Sequence, residues 1–358
     1  MTPHDRPSPP TLVVCGTVNI DTFVGVDQFP TAGETIIAAP NGTALGGKGA
    51  NQAVAAARYA AREGDVLFHA TVGTDGDGDS ARDELAGYGV DVTAVGRTDE
   101  APTGQAFIMN DPAGENIIVV TSGANALTNP ATLGGATSGA DSDPDSGGGA
   151  AVDSAAVLLA QGELTPEHSA ALPALAERLG ARFVLNLAPV TTRDRDLLAS
   201  ADPLIVNETE AADVLGMPRD TLLDELLDAF AAAVERGLAV SAVVTLGAQG
   251  ALLAAGGERT MLDAIPVGAT DSATDSGTDS GTDSAQVVDT TGAGDAFCGT
   301  LAAALAEGES LGEAARLASA AGSLAVRSRG AAASYAGRED IRRCTERDSR
   351  AEDGTNGE

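Results

Sequence analysis

Three short segments of this chain set small residues beside groups that can bind an anion or move a proton. The first is Asp289-Thr290-Thr291-Gly292-Ala293-Gly294-Asp295. Its small run Gly292, Ala293 and Gly294 lets backbone N–H groups approach an anion, and the helix it opens adds its N-terminal dipole. Asp295 falls in the first helical turn, where a carboxylate is either a helix-start residue or a general base for an alcohol. No Lys-Ser/Thr pair follows, so the segment is not a Walker loop. The second is Gly46-Gly47-Lys48-Gly49-Ala50-Asn51-Gln52-Ala53, three glycines ahead of a helix. Lys48 and Asn51 carry donors suited to hydroxyl groups, unless Lys48 simply faces solvent from a tight turn. In the third, Gly16-Thr17-Val18-Asn19-Ile20-Asp21, Asn19 and Asp21 alternate onto one side of an extended chain. An amide and a carboxylate so placed suit a polyol, although Asx residues also fill loops.

Two weaker segments follow. Asn207-Glu208-Thr209-Glu210 has the spacing of a capping box. Equally, the pair can hold hydrated Mg²⁺ and phosphate oxygens, since Mg²⁺ keeps several waters and few protein ligands. Thr245-Leu246-Gly247-Ala248-Gln249-Gly250 is a glycine turn at the end of a strand, which by itself reads as a hairpin. Glu163 lies just beyond another predicted strand. His4, His69 and His168 lack metal-ligand spacing, and Cys15, Cys298 and Cys344 are odd in number and far apart, so free thiols are expected. Cys298 reads as a small core residue rather than a nucleophile.

Composition narrows the function classes. The 358 residues carry 52 Asp+Glu against 21 Lys+Arg, a formal charge of −31, and Lys48 is the only lysine. Nucleic-acid binding needs clustered basic residues, and an anionic membrane repels such a surface. A retained lysine in so lysine-poor a chain marks position 48. The acidic residues are spread along the whole chain, as in a protein adapted to a salt-rich cytoplasm, where screening shortens to about 3 Å in molar salt. No apolar run approaches a membrane span, and the first ten residues are polar and proline-rich, so a cytoplasmic location is expected.

The elements that must position these residues follow from periodicity. Strands are predicted at 11–16, 66–72, 155–160, 182–187, 204–206, 240–246 and, as a short run, 286–288. Helices are predicted at 50–62, 79–88, 167–178, 221–236, 293–306 and 311–326. The alternation predicts an α/β fold: a three-layer α/β/α arrangement around a mostly parallel sheet. Residues 22–45 and 103–121 break the alternation with hairpin patterns, a small separate sheet that can act as a lid. Residues 134–149 and 268–284, rich in Gly, Ser, Asp and Thr, are expected to be disordered loops, and 347–358 a solvated tail. One domain spanning 11–344 is expected.

Taken in order, these motifs resemble the ribokinase-like family of ATP-dependent sugar kinases, also called the PfkB family. The resemblance spans about 11–341; 289–299 matches its C-terminal signature and 46–53 its N-terminal one. The Gly-Gly-Lys-Gly-Ala-Asn-Gln-Ala form, Phe29-Pro30-Thr31-Ala32-Gly33-Glu34-Thr35 and Asn186-Leu187-Ala188-Pro189 resemble the ribose branch rather than the fructose-6-phosphate or nucleoside branches. The resemblance implies transfer of phosphate from ATP to a sugar's primary hydroxyl, giving ribose 5-phosphate from ribose. It implies that Asn19, Asp21, Gly47, Lys48, Asn51 and Glu163 contact ribose, and that Asp295 is the base. Gly292, Ala293 and Gly294 would form the anion hole, Asn207 and Glu210 would serve Mg²⁺ and phosphate, and 245–250 would bind nucleotide. Asp289, Thr291, Ala325, Ser328, Gly330 and Ser334 would surround a K⁺ ion, several through backbone carbonyls. It also implies a homodimer joined through the lid sheets. Rival substrates within the family are deoxyribose, a nucleoside and fructose 6-phosphate, and a sugar- or nucleotide-sensing protein is the non-enzymatic rival.

Overall fold

The computed structural model describes residues 11–113, 115–134, 152–266 and 287–355, with side chains as far as residue 348. Apart from Gly134, the loops expected at 134–149 and 268–284 lie outside the described residues, as do 356–358.

The first strand, β1 (Leu12–Cys15), explains the layering. All four of its side chains are buried, Leu12 and Val14 in one apolar cluster and Val13 and Cys15 in a second. A strand packed on both faces must read as a continuous apolar run. The chain continues through β2 (Asn19–Gly25), β3 (Ala39–Gly46), β4 (Val66–Gly73), β5 (Val95–Thr98), β6 (Gly104–Asn110) and β7 (Asn116–Thr121). Then follow β8 (Val157–Gln161), β9 (Arg182–Asn186), β10 (Leu204–Asn207), β11 (Ser241–Thr245), β12 (Ala251–Ala255) and β13 (Glu258–Leu262). Nine strands form one sheet in the order β13-β12-β11-β10-β9-β8-β1-β4-β5, parallel from β11 to β5, with β12 antiparallel to both its neighbours. Four form the expected second sheet, β3-β2-β6-β7.

The helices are α1 (Lys48–Tyr59), α2 (Gly76–Gly87), α3 (Pro166–Ser169), α4 (Leu172–Leu179), α5 (Arg195–Ser200), α6 (Glu208–Leu215), α7 (Leu223–Glu235), α8 (Ala293–Ala306), α9 (Leu311–Ala325) and α10 (Arg338–Thr355). Buried residues of α1, α2, α8, α9 and α10 share a cluster with Leu12 and Val14; those of α4 to α7 share the other. The sheet therefore separates two helical layers. From β1 the order runs out through β4 to β5, then returns to β8 on the other side of β1 and out to β13. That reversal makes a crevice at the carboxyl ends of β1 and β8, where ligands of open parallel sheets bind.

Several elements differ from expectation. The helix predicted over 167–178 is two pieces, α3 and α4, separated at Ala170 and Ala171. Pro173 lacks an N–H and clashes with the preceding turn, so it sits in the first turn of a new helix. Val287 and Val288 are exposed and outside any strand, and Gln286 lies outside the described residues. β5, β12 and β13 are not among the predicted strands: β13 is exposed except for the half-buried Leu262, and β12 buries an alanine-rich sequence readable as helix. The last helix runs through Arg347 to Thr355, where a tail was expected from 347. It is anchored by Ile341 and Cys344 in the core, and by Arg338 stacked 4.7 Å from the Tyr59 ring centroid.

Phe230 of α7 is fully buried against the sheet. Phe230→Ala should cost about 3–5 kcal/mol through lost burial and the cavity left behind, read as a lowered urea midpoint.

Candidate active site

The crevice is built where two helix N-termini meet. Helix α1 begins at Lys48 behind Gly47, whose φ of 86° favours glycine and whose missing Cβ would lie 2.8 Å from the Thr17 carbonyl. That close approach docks α1 against the turn after β1, and the Ala50 N–H donates to the Thr17 carbonyl at 3.0 Å. Helix α8 begins behind Gly292, at φ 76°, where a Cβ would sit 2.7 Å from both Ala331 Cβ and the Tyr335 hydroxyl. No side chain caps α8, and Gly294 faces open space. The Ala293 N–H donates to the Thr290 carbonyl at 3.3 Å, and the next N–H groups lack intrahelical acceptors, an arrangement that can cradle an anion.

Asp295 projects from the first turn of α8 and is only 7% exposed. Its Oδ2 accepts from Asn51 Nδ2 at 3.1 Å and its Oδ1 from Gln52 Nε2 at 2.9 Å. Lys48 lies close enough that the Asp295 carboxylate, with Glu163 and Glu210, holds its ammonium above its ordinary value despite burial. Lys48 is half-buried, and its charge is coupled to the cluster rather than left to solvent alone.

Glu163, beyond β8, accepts from the Lys48 N–H at 3.0 Å and from the Thr17 hydroxyl. Burial pushes its carboxyl up, against the pull of Thr17 and Lys48. Asn19 and Asp21 lie on β2 of the small sheet, not in a loop, two residues apart and so on one face. Asn125 Nδ2 donates to Asn19 Oδ1 at 2.8 Å, which leaves the Asn19 Nδ2 to donate elsewhere. Burial, then the charges of Glu163 and Asp295, push the Asp21 carboxyl up to about 6. Asn19, Asp21, Gly47, Lys48, Asn51, Glu163 and Asp295 are thus gathered from four separate stretches of chain.

Asn207 and Glu210 form the capping box that their spacing predicts: Asn207 Oδ1 accepts from the Glu210 N–H and Glu210 Oε2 from the Asn207 N–H, both at 2.8 Å. Burial raises the Glu210 carboxyl, which also feels Lys48 and Asp295. In the ladder Asn207 pairs with Thr245, and residues 245–250 are the turn between antiparallel β11 and β12, the hairpin form expected. Asp289 ties two loops together, accepting from the Thr291 N–H at 2.9 Å and the Gly330 N–H at 3.0 Å. Although burial opposes it, these bonds and Arg329 hold its carboxyl low. Ser328 donates its N–H to the Ala325 carbonyl, and Ser334 its hydroxyl to the Ala331 carbonyl.

A pfkB family carbohydrate kinase model matches residues 10–336. The chain belongs to the pfkB family. Among members, it is 34% identical over 333 residues to a ribokinase of Haemophilus influenzae, covering 92% of this chain and 96% of that one. It is 32% identical over 335 residues to a ribokinase of Arabidopsis thaliana, covering 93% and 80%. Among solved structures, Arabidopsis thaliana ribokinase complexed with ribose and ATP superposes with a TM-score of 0.76 at 30% identity, covering 95% of this chain and 99% of that one. The fold is the family's: a large, mostly parallel sheet with a smaller separate sheet.

Sequence reasoning missed polar residues that the fold buries at the site: Thr17, Gln52, Asn125, Gln161 and Asn186. Gln52 stands beside Asn51 at the start of a helix whose other buried residues are mainly alanine, with Gly49, Val54 and Tyr59, a usable signal. Asn125 carried none, because a loop Asn is ordinary. Cys298 is buried with its thiol raised well above its ordinary value, an unreactive core residue as expected, and Cys15 and Cys344 are likewise buried free thiols. Among the described residues no His/Cys/Asp/Glu group has metal-cluster geometry, and no helix is long and apolar enough to cross a membrane.

Asp21 titrates near 6 folded and near 3.9 unfolded, so between those values the folded state binds more protons. Stability contributed at this site is therefore present below about pH 4 and lost as pH rises through about 6. Asp21→Asn should be more stable than the parent at pH 7 by up to about 3 kcal/mol, with the difference gone at pH 4. Urea midpoints of the two proteins at both pH values measure it.

Proposed function

We propose that this chain is a cytoplasmic kinase that transfers the γ-phosphoryl of ATP to the primary hydroxyl of ribose. One observation carries the reading. Asn51 donates to Asp295 through Nδ2, and its buried Oδ1 has no partner among the described residues. A sugar hydroxyl held there would satisfy that acceptor and stand beside the base. Asn19, Asp21, Lys48, Glu163 and the backbone of Gly47 supply donors and acceptors of the mixed kind that a polyol needs. The match over most of the chain to ribokinases, one of them bound to ribose and ATP, supports ribose over the family's other sugars. A fructose 6-phosphate kinase would need a free cation for the second phosphate, and Arg97 is paired with Asp79 at 2.5 Å.

The chemistry follows from the geometry. Asp295 accepts the hydroxyl proton as the sugar oxygen bonds to the γ-phosphorus. The bond from that phosphorus to the β–γ bridging oxygen breaks, and ADP leaves with its electron pair. The N–H groups of Gly292 and Gly294, with that of Ala293, which also donates to the Thr290 carbonyl at 3.3 Å, would face the charge that spreads over the transferring group. The small sheet carries Asn19 and Asp21, so its closure as a lid would bring sugar contacts and exclude water in one motion. The turn at 245–250 would hold the nucleotide.

Asn207 and Glu210 fit a hydrated Mg²⁺, because Glu210 is a hard oxygen donor whose capping bond uses only Oε2. Mg²⁺ bound there would supply neutralisation of the phosphate charge. Asp289, Thr291, Ala325, Ser328, Gly330 and Ser334 present oxygen donors of carboxylate, hydroxyl and carbonyl type, a set that suits K⁺. With a charge of −31 the protein's field repels ATP at low ionic strength, so turnover should rise towards molar KCl. We also infer a homodimer through the small sheet. Its edge strand β7 is exposed throughout, with Ile118 at 53% and Val120 at 57%.

ADP release with Mg-ATP in molar KCl should be seen with ribose and be much weaker with deoxyribose, adenosine and fructose 6-phosphate. Asp295→Asn should lower kcat by about 10³-fold. Turnover on another sugar would move the specificity; no turnover by folded protein would leave a binding protein. Light scattering in the same salt should give a dimer mass, reduced to a monomer by Ile118→Lys with Val120→Lys; a parent monomer would refute the interface.

A further inference from the structure

Behind Asp295 lies a row of three side-chain amides that no part of the chemistry above uses. Gln52 is fully buried, Gln161 is 1% exposed and Asn186 7%. They come from α1, the end of β8 and the end of β9. Gln52 Nε2 donates both to Asp295 Oδ1 and to Asn186 Oδ1, each at 2.9 Å, and Gln52 Oε1 accepts from Gln161 Nε2 at 2.9 Å. Asn186 Nδ2 is committed to the Ile205 carbonyl of β10 at 3.2 Å. Burying three amides beside an apolar core is costly unless each is held in place.

The directions of these bonds agree with one another, and Gln161 Oε1 is the one amide atom of the row buried with no partner among the described residues. Because Asn186 gives its NH₂ to β10, it can show only oxygen to Gln52. Asp295 likewise shows only carboxylate oxygen, so Gln52 turns its NH₂ to both and its oxygen to the Gln161 NH₂. Reversing the Gln52 amide would set its oxygen against two oxygens and its NH₂ against another NH₂, losing three hydrogen bonds at once. The donor of Gln52 is therefore locked towards Asp295. With Asn51 Nδ2 on the other oxygen, the carboxylate is gripped at both ends by consecutive residues of one helix. Rotation about its Cβ–Cγ bond is then set by the sheet, through the amides, rather than by the substrate.

We propose that Gln52, oriented by Gln161 and Asn186, is a positioning residue that fixes the rotation of the Asp295 carboxylate for proton abstraction. The inference rests on the reading of Asp295 as the base. Misplacing a reacting group by about 1 Å can cost 10²-fold in rate. Gln52→Met keeps length and volume but removes every amide bond.

The test is a double-mutant cycle on ribose phosphorylation, with single-turnover rates for slow variants. Gln52→Met should lower kcat by about 10²-fold with the ribose KM within twofold of the parent, while in an Asp295→Asn background the same change should alter kcat less than twofold. Gln161→Met, which removes the orienting bond and leaves Gln52 in place, should lower kcat by about 10-fold, and Gln161→Glu, whose carboxyl retains an acceptor but no NH₂, should not restore it. Gln161→Met carries the test should Gln52→Met not fold. Equal losses in both Asp295 backgrounds, a rise in KM at unchanged kcat, or losses that track melting temperature across the variants would overturn the proposal. Full turnover by Asp295→Asn alone would instead remove the base reading on which it stands.

Discussion

A carboxylate buried to 7% exposure is expensive unless its oxygens are paired, and the pairing of Asp295 organises the crevice. Two consecutive amides of α1 donate to it, so the N-termini of α1 and α8 are brought together. The packing between these helices suits that approach. Both are alanine-rich on their facing sides, and Gly299 of α8 touches α1 so closely that a Cβ would overlap its backbone. Small side chains let the helices pack closely, and the close packing lets short Asn and Gln side chains reach the acid. The glycine-rich entries to both helices are the other half of the same constraint, since each helix must start immediately at the ligand.

Around that contact the electrostatics are local. The chain as a whole is strongly negative, yet the crevice gathers Lys48, uncapped helix N–H groups and the positive end of α8. Acidic groups are concentrated there too: Asp21, Glu163, Glu210 and Asp295 each act on Lys48 or on one another. Burial raises three of these carboxyls. Such a site has little tolerance for an unpaired charge and gains from a ligand whose hydroxyls and phosphates satisfy both signs. Asp21 reaches it from the small sheet, so opening that sheet would remove its carboxylate from the mutual repulsion.

Much of this was readable because some physical demands are local. A strand buried on both faces has to be apolar throughout, which is why β1, β8 and β11 stand out. Asn207 and Glu210 satisfy each other at a spacing of three, so the start of α6 was legible from four residues. Helix α8 was placed correctly because its glycine entry and alanine-rich body lie in one stretch. Other features lacked a local signature. β12 carries alanine and leucine, which suit a helix as well as a strand, and only pairing with β11 settles the matter. Helix α10 is strongly charged along its length, and its place depends on Tyr59, Glu307 and Glu309 from distant segments. Pro173 signalled a break, but helical periodicity ran across it.

From its residues alone, this chain determined its layered α/β architecture and its family. It also singled out Asp295, the lone lysine, Asn19 and Asp21 as candidates, because glycine spacing, charge and apolar periodicity are properties of contiguous sequence. Only the tertiary structure decided that Gln52, Gln161 and Asn186 stand behind Asp295 in a single file of oriented amides. Those residues are separated by more than a hundred positions along the chain, except for Gln161 and Asn186 on neighbouring strands. An amide's role depends on which partner faces its oxygen and which its nitrogen. That is set by the parallel register of β8, β9 and β10 and the docking of α1, neither of which any contiguous stretch of residues encodes.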